Sequence, residues 1–136
     1  MKKLAILACA ALSAAACTTN EQAEADRTAG EAQLSTALEG YEPAGPPVSC
    51  VNMRDLRGNR SAGETAIIFD GIGDRIWVNR PAGGCPDLSF NRALQVKATS
   101  SQLCRGDIAT VFEPASGVTY GGCGLDDFQP YRRRPR

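Results

Sequence analysis

The sequence predicts a mainly β fold, a small disulfide-stapled antiparallel meander or barrel of five to six strands. A signal peptide and a flexible tether are expected to precede it. Three observations predict this. From residue 48 onward no stretch repeats apolar residues at helical spacing; short β-branched and aromatic runs alternate with Gly, Pro and Asp turns instead. Six cysteines occur in 136 residues, and small exported domains with little core are typically stapled. The first 47 residues differ in composition from the rest, with an apolar start followed by a polar, acidic stretch.

At the N-terminus, Lys2-Lys3 precede an apolar run from Leu4 to Ala16 broken only by Ser13. Thirteen residues are too few to span a bilayer core, which needs about 20. A charged start, a short apolar run and small residues before a cut are the marks of a secretory signal, here 1–16. The run Ser13-Ala14-Ala15-Ala16 stops at Cys17, and this resembles the lipobox of bacterial lipoproteins. There, lipid is attached through a thioether and the chain is cut just before the cysteine. The resemblance implies that Cys17 is the lipid-attachment residue. Ala14 departs from the usual Leu, and Cys9 leaves too short an apolar run to compete. Thr18 stands where Asp would signal inner-membrane retention, so the resemblance implies the outer membrane, periplasmic face. An ordinary Ala-x-Ala cleavage that leaves Cys17 a bystander is the competing reading.

Residues 17–47 read as the lipidated cysteine and an acidic tether. The stretch after Cys17 carries six acids against Arg27 and ends in Pro43-Ala44-Gly45-Pro46-Pro47. Low hydrophobicity with net negative charge favours a flexible spacer. Asn20 could cap a helix here, but Gly30 interrupts it and Leu34 and Leu38 form only a short apolar stripe. The expectation is a transient helix that does not dock.

The body, 48–131, carries eight bases and nine acids. Thr65 to Phe69 and Arg75 to Arg80, joined by Asp70-Gly71-Ile72-Gly73-Asp74, read as a β-hairpin. Leu94, Val96 and Ala98 alternate with polar residues as a half-buried strand. Ile108 to Phe112 is a strand ending at a turn through Ala115-Ser116-Gly117, and Val118-Thr119-Tyr120 starts the last one. Cys50 to Leu56 supplies a further short one.

With Cys9 removed and Cys17 lipidated, Cys50, Cys85, Cys104 and Cys123 remain. They imply two disulfides with three possible connectivities. Cys104 and Cys123 flank the last predicted hairpin, which favours Cys104–Cys123 with Cys50–Cys85. Spacings of 35, 19 and 19 residues contain no close pair of the kind zinc or a redox dithiol uses. Neither metal nor cofactor is expected.

Fifteen basic and fifteen acidic residues cancel, and histidine is absent. Zero net charge argues against a nucleic-acid binder, and the missing imidazole removes the commonest general base. Asp70, Asp74, Asp87, Asp107, Asp126 and Asp127 could supply catalytic carboxylates, but Asp70 and Asp74 sit where Asp serves a turn. Arg105-Gly106-Asp107 spells an adhesion tripeptide yet enters a strand. The last five residues carry Arg132, Arg133, Arg134 and Arg136. That basic tail can meet anionic lipid heads, lipopolysaccharide phosphates or peptidoglycan carboxylates, or it is a solvated terminus.

Residues 50–130 contain Cys50-Val51, Ala66 to Phe69, Trp77-Val78-Asn79 and Cys85-Pro86-Asp87-Leu88. Leu103-Cys104-Arg105-Gly106-Asp107 and Cys123-Gly124-Leu125 with Phe128 follow. This order resembles an uncharacterised domain-of-unknown-function family from small envelope proteins of Gram-negative bacteria. Asp87 stands where that pattern commonly has Gly, and Asp126-Asp127 precede Phe128. The resemblance implies an envelope location and a cysteine frame, and no activity. The expected role is a non-enzymatic, outer-membrane-anchored structural or binding module. Its partners would be the membrane through Cys17 and an envelope protein, peptidoglycan or lipopolysaccharide. A small periplasmic inhibitor or ligand-binding protein is the alternative.

Overall fold

The computed structural model describes residues 8–88 and 92–136, with residues 8–18 described by their backbone alone. The positively charged start of the expected signal peptide lies outside the described residues.

One helix, α1 (Ala8–Ala37), precedes ten strands. They are β1 (Tyr41–Pro43), β2 (Cys50–Asn52), β3 (Leu56–Ala62), β4 (Ala66–Gly71) and β5 (Arg75–Asn79), then β6 (Ala93–Val96), β7 (Gln102–Cys104), β8 (Ile108–Phe112), β9 (Thr119–Gly124) and β10 (Phe128–Arg133). All pairings are antiparallel. A five-stranded sheet runs β1-β10-β5-β4-β3, a three-stranded sheet runs β6-β8-β9, and β2 pairs with β7 as a separate ribbon.

The mainly β reading holds, and the expected hairpin is β4–β5, with Phe69 opposite Trp77. Its turn works because Gly73 takes φ +72°. Gly71 lies so close beneath the indole that a Cβ would sit 2.5 Å from Trp77 Cζ3. The turn at Ala115-Ser116-Gly117 also forms, closed by Gly117 N–H donating to the Glu113 carbonyl at 2.8 Å.

Ten strands among the described residues exceed the five to six expected, because β1, β3, β7 and β10 carry none of the expected strand signals. β3, Leu-Arg-Gly-Asn-Arg-Ser-Ala, is an exposed edge strand, so it shows no apolar alternation. β10 contains Pro130, which normally demotes a strand, although β10 lies between β1 and β5. The Pro130 carbonyl accepts from Ala44 N–H at 2.9 Å, just past the end of β1. On a strand, N and O of one residue face the same neighbour, so the missing N–H falls where that ladder has already ended.

The two larger sheets pack face to face. Ile67, Phe69, Trp77 and Phe128 meet Leu94, Ala109, Val111 and Cys123 in one apolar cluster. Val51 and Leu103 from the ribbon and Leu125 close it. Phe69 and Phe128 rings lie 5.5 Å apart at 59°. The other face of the five-stranded sheet presents Ala66, Ile68, Ile76 and Val78, and these bury Leu34 of α1, with Ala37, Leu38, Tyr41 and Tyr131 around them.

That second cluster corrects the expected transient, undocked helix. The helix does not begin at an Asn20 cap but runs unbroken from Ala8. Gly30 does not interrupt it; it is the contact point. Its missing side chain lets the helix touch the β3–β4 turn, where a Cβ at Gly63 would lie 2.9 Å from Gly30 Cα. Glu31 forms a two-pronged ion pair with Arg80, and Gly63 N–H donates to Gln33 Oε1 at 2.8 Å. The missing signal was tertiary: Leu34 needed the apolar outer face of β4–β5 to dock against. The expected tether also ends inside the fold, because β1 pairs with β10.

Gly30→Ala should undock this helix. In a free helix the change favours helicity by about 1 kcal/mol. Here the added methyl would lie 2.6 Å from Thr65 Oγ1 and 3.1 Å from the Ala62 carbonyl. Limited proteolysis reads the outcome: faster cleavage within 19–37, with the β core still resistant, is expected. Unchanged cleavage would show that the Gly30–Gly63 contact does not hold the helix.

Candidate functional site

The four body cysteines are all disulfide-bonded, but as Cys50–Cys104 and Cys85–Cys123. This corrects the favoured pairing. Cys104 does not belong to the β8–β9 hairpin. It ends β7, where it lies directly opposite Cys50 of β2. Cys123 faces inward from β9 beside Ala109, and there it meets Cys85, which is 1% exposed.

The Cys85-Pro86-Asp87 loop is clamped by Glu64. Cys85 N–H donates to the Glu64 carbonyl at 2.7 Å, and Asp87 N–H donates to Glu64 Oε1 at 2.8 Å. Asp87 adopts φ +67°, the left-handed region that suits Gly, Asn or Asp. Arg92 reaches back to Asp87 Oδ1 at 3.0 Å and stacks 3.6 Å from the Tyr120 ring centroid.

The candidate carboxylates each have a local partner. Asp70 pairs with Arg60, Asp74 with Arg133, Asp87 with Arg92 and Asp127 with Arg105. Asp126 accepts from Asp127 N–H. Asp107 accepts from Cys104 N–H at 2.7 Å, while its own carbonyl accepts from Leu125 N–H at 2.9 Å. Arg105-Gly106-Asp107 is thus a turn that ties β7 to the segment after β9. Asn79, fully buried, holds the same segment from the other side: its amide donates to the Asp126 carbonyl at 2.5 Å and accepts from Asp126 N–H at 3.0 Å. Among the described residues no buried side-chain polar atom lacks a partner, and no three His, Cys, Asp or Glu converge as metal ligands.

A hollow of about 460 Å³ lies where α1 passes the glycine loop, lined by Asp26, Arg27, Glu31, Glu64, Gly83 and Gly84. The Arg80 guanidinium, hydrogen-bonded to Glu31, holds that carboxyl below its ordinary range against a smaller opposing effect of burial. Glu31 is therefore committed to docking the helix, while Arg27 pairs with Glu24 and Asp26 accepts from Gln22 within the helix, and Glu64 holds Asp87 N–H.

The arginines at the C-terminal end are not a loose tail. Arg132 and Arg133 belong to β10 and pair with Glu42 and Tyr41 of β1. Arg132 Nε donates to Glu42 at 2.8 Å. Arg133 donates to the Tyr41 hydroxyl at 3.0 Å and lies 3.8 Å from Asp74. Arg134 N–H donates to the Gly40 carbonyl at 2.8 Å. Sequence reasoning missed Arg75, which lies directly opposite Arg132; only the β5–β10 register brings them together. Cys17 falls within α1, its side chain outside the described residues. No helix among the described residues is long and apolar enough to cross a membrane.

These features define a class: a disulfide-stapled β domain of two packed sheets carrying a docked N-terminal helix and a cationic end, with no assembled catalytic centre among the described residues. The chain belongs to the family of unknown function DUF6491, which matches residues 1–129. No curated protein and no solved structure matches it. The match takes in α1 as well as the β body, and Arg132 to Arg136 lie beyond it.

Proposed function

We propose that this protein is a lipid-anchored envelope protein of the outer membrane, held at Cys17, that acts as a non-enzymatic structural or binding module on the periplasmic side. The observation that carries the reading is the pair of disulfides tying β2 to β7 and the Cys85 loop to β9. Such bonds persist in oxidising compartments outside the cytoplasm. The lipobox-like Ser13 to Cys17 supports attachment at the membrane, since two or three acyl chains anchor stably where one does not. The Asp, Glu and Asn clusters of the body serve packing, turns or helix docking, which favours a binding surface over an enzyme.

The test is metabolic labelling with a fatty-acid probe followed by membrane fractionation. The wild type is expected to carry label and sediment with outer membranes, and Cys17→Ser to lose the label. Label that persists in Cys17→Ser overturns the attachment site. Crosslinked pull-downs then identify the partner. Recovery of a hydrolase together with loss of its activity would replace the structural reading with that of an inhibitor.

A further inference from the structure

We propose that the cationic end of the domain docks onto a polycarboxylate lying away from the protein's own membrane, the peptidoglycan wall. The inference rests on lipid anchoring at Cys17 and adds the partner.

The first observation is an electrostatic cost built into the sheet. Arg75 and Arg132 occupy directly opposed positions on β5 and β10, where like charges destabilise an antiparallel pair. Arg133 follows on β10, with Arg134 and Arg136 beyond it. At this end Glu42 and Asp74 pair with Arg132 and Arg133, Asp70 pairs with Arg60, Asp55 lies just before β3, and Glu39 stands at the end of the helix. Among the described residues, Arg75 and Arg134 find no acidic partner. The side chains of Arg132 and Arg133 remain 64% and 50% exposed even in their pairs. A fold that gathers guanidinium groups against repulsion and leaves them open is suited to carboxylates, which the planar fork binds through two hydrogen bonds.

The second observation is direction. α1 meets the sheet through Gly30 at the β3–β4 turn and through Leu34 over Ile76 and Val78, and Tyr41 then pairs with Arg133. The helix therefore enters at one end of the five-stranded sheet, and the arginines stand at the other. Residues 19–29 are exposed beyond that turn. At 1.5 Å per residue, Cys17 lies about 20 Å from Gly30 along the helix. The length of β4 adds about another 17 Å at 3.4 Å per residue. Charges act over a Debye length of about 8 Å at physiological salt, so even half that separation keeps the arginines from the headgroups around Cys17. On the periplasmic side of an outer membrane, the wall is the polyanion in that direction.

The experiment uses lipidated full-length protein in detergent, pelleted with purified peptidoglycan sacculi. Arg75→Glu with Arg134→Glu is the variant, because neither side chain serves the fold through an ion pair; an unchanged melting transition confirms that it folds. Wild type is expected to pellet, with binding reduced about tenfold in the variant, equivalent to about 1.4 kcal/mol. Raising salt from about 50 to about 300 mM should also weaken it, as screening requires. In phosphatidylcholine vesicles, added sacculi should slow trypsin after Arg132 and Arg133, whereas phosphatidylglycerol in the same vesicles should not. Equal pelleting of the two proteins, or protection by phosphatidylglycerol in the protein's own vesicle, overturns the inference. If Cys17 carries label and wild type ignores sacculi, only the docking inference fails. Absence of label removes both readings.

Discussion

Replacing Cys85 and Cys123 together by alanine should lower stability by about 4 kcal/mol or more. The bond closes a sequence separation of 38 residues, and releasing a loop of that size returns about 4 kcal/mol of chain entropy to the unfolded state. Both residues also belong to the main apolar cluster, together with Leu88, Ala109 and Val111. Whole domains of this size are stable by roughly 5–15 kcal/mol, so the variant should be marginal at best. The Cys50–Cys104 bond spans 54 residues and has a similar entropic value, but its cysteines are only partly buried at the end of a three-residue ribbon. Removing it should cost less. The two loops overlap, since Cys85 lies between Cys50 and Cys104, so the losses should not add. Urea denaturation reads each outcome from its midpoint. A Cys85→Ala/Cys123→Ala protein as stable as the parent would contradict the assigned core role.

Asn79→Leu should lower stability by about 2–4 kcal/mol, although leucine is larger, more apolar and similarly shaped. The native amide satisfies both the N–H and the carbonyl of Asp126 at a site with 0% exposure. Leucine leaves those partly buried peptide groups without partners, at up to about 1–3 kcal/mol for each group. The effect should also be local. Hydrogen exchange at the Asp126 amide should speed up well beyond the global change, because Asn79 is what holds the link between β9 and β10. If the amide exchanges at the parental rate, the clamp is not set by Asn79.

Much of the fold is legible in the chain because it is written at short range. Ile67 to Phe69 with Trp77 and Val78 around Gly73 declares a hairpin through β-branched residues and a turn glycine. Leu94 and Val96, and Ala109 and Val111, alternate as half-buried strands should. β3 and β10 are silent for opposite reasons. β3 is an edge with little to bury, and β10 hides its paired register behind Pro130 and a run of arginines. Helix α1 is legible as helix former from its Ala, Glu and Gln content, but its docking is not. Gly30 reads as a break until Gly63 is placed against it.

The candidate surface divides in the same way. Arg132, Arg133, Arg134 and Arg136 stand out in the sequence as a charge run, whereas Arg75 is an ordinary exposed residue until β5 and β10 are in register.

The amino-acid sequence by itself determined the strand class, the turns and the number of cysteines, since periodicity, φ preference and composition act over a few residues. Tertiary structure alone decided which cysteines bond, whether the N-terminal helix docks, and that Arg75 joins Arg132, Arg133 and Arg134 at the end of the sheet opposite the helix entry. Those outcomes depend on β2 meeting β7 and β5 meeting β10, pairings between segments about fifty residues apart. Loop-closure entropy rises only slowly with length, so no local feature of the chain favours one such pairing over another until the core is packed.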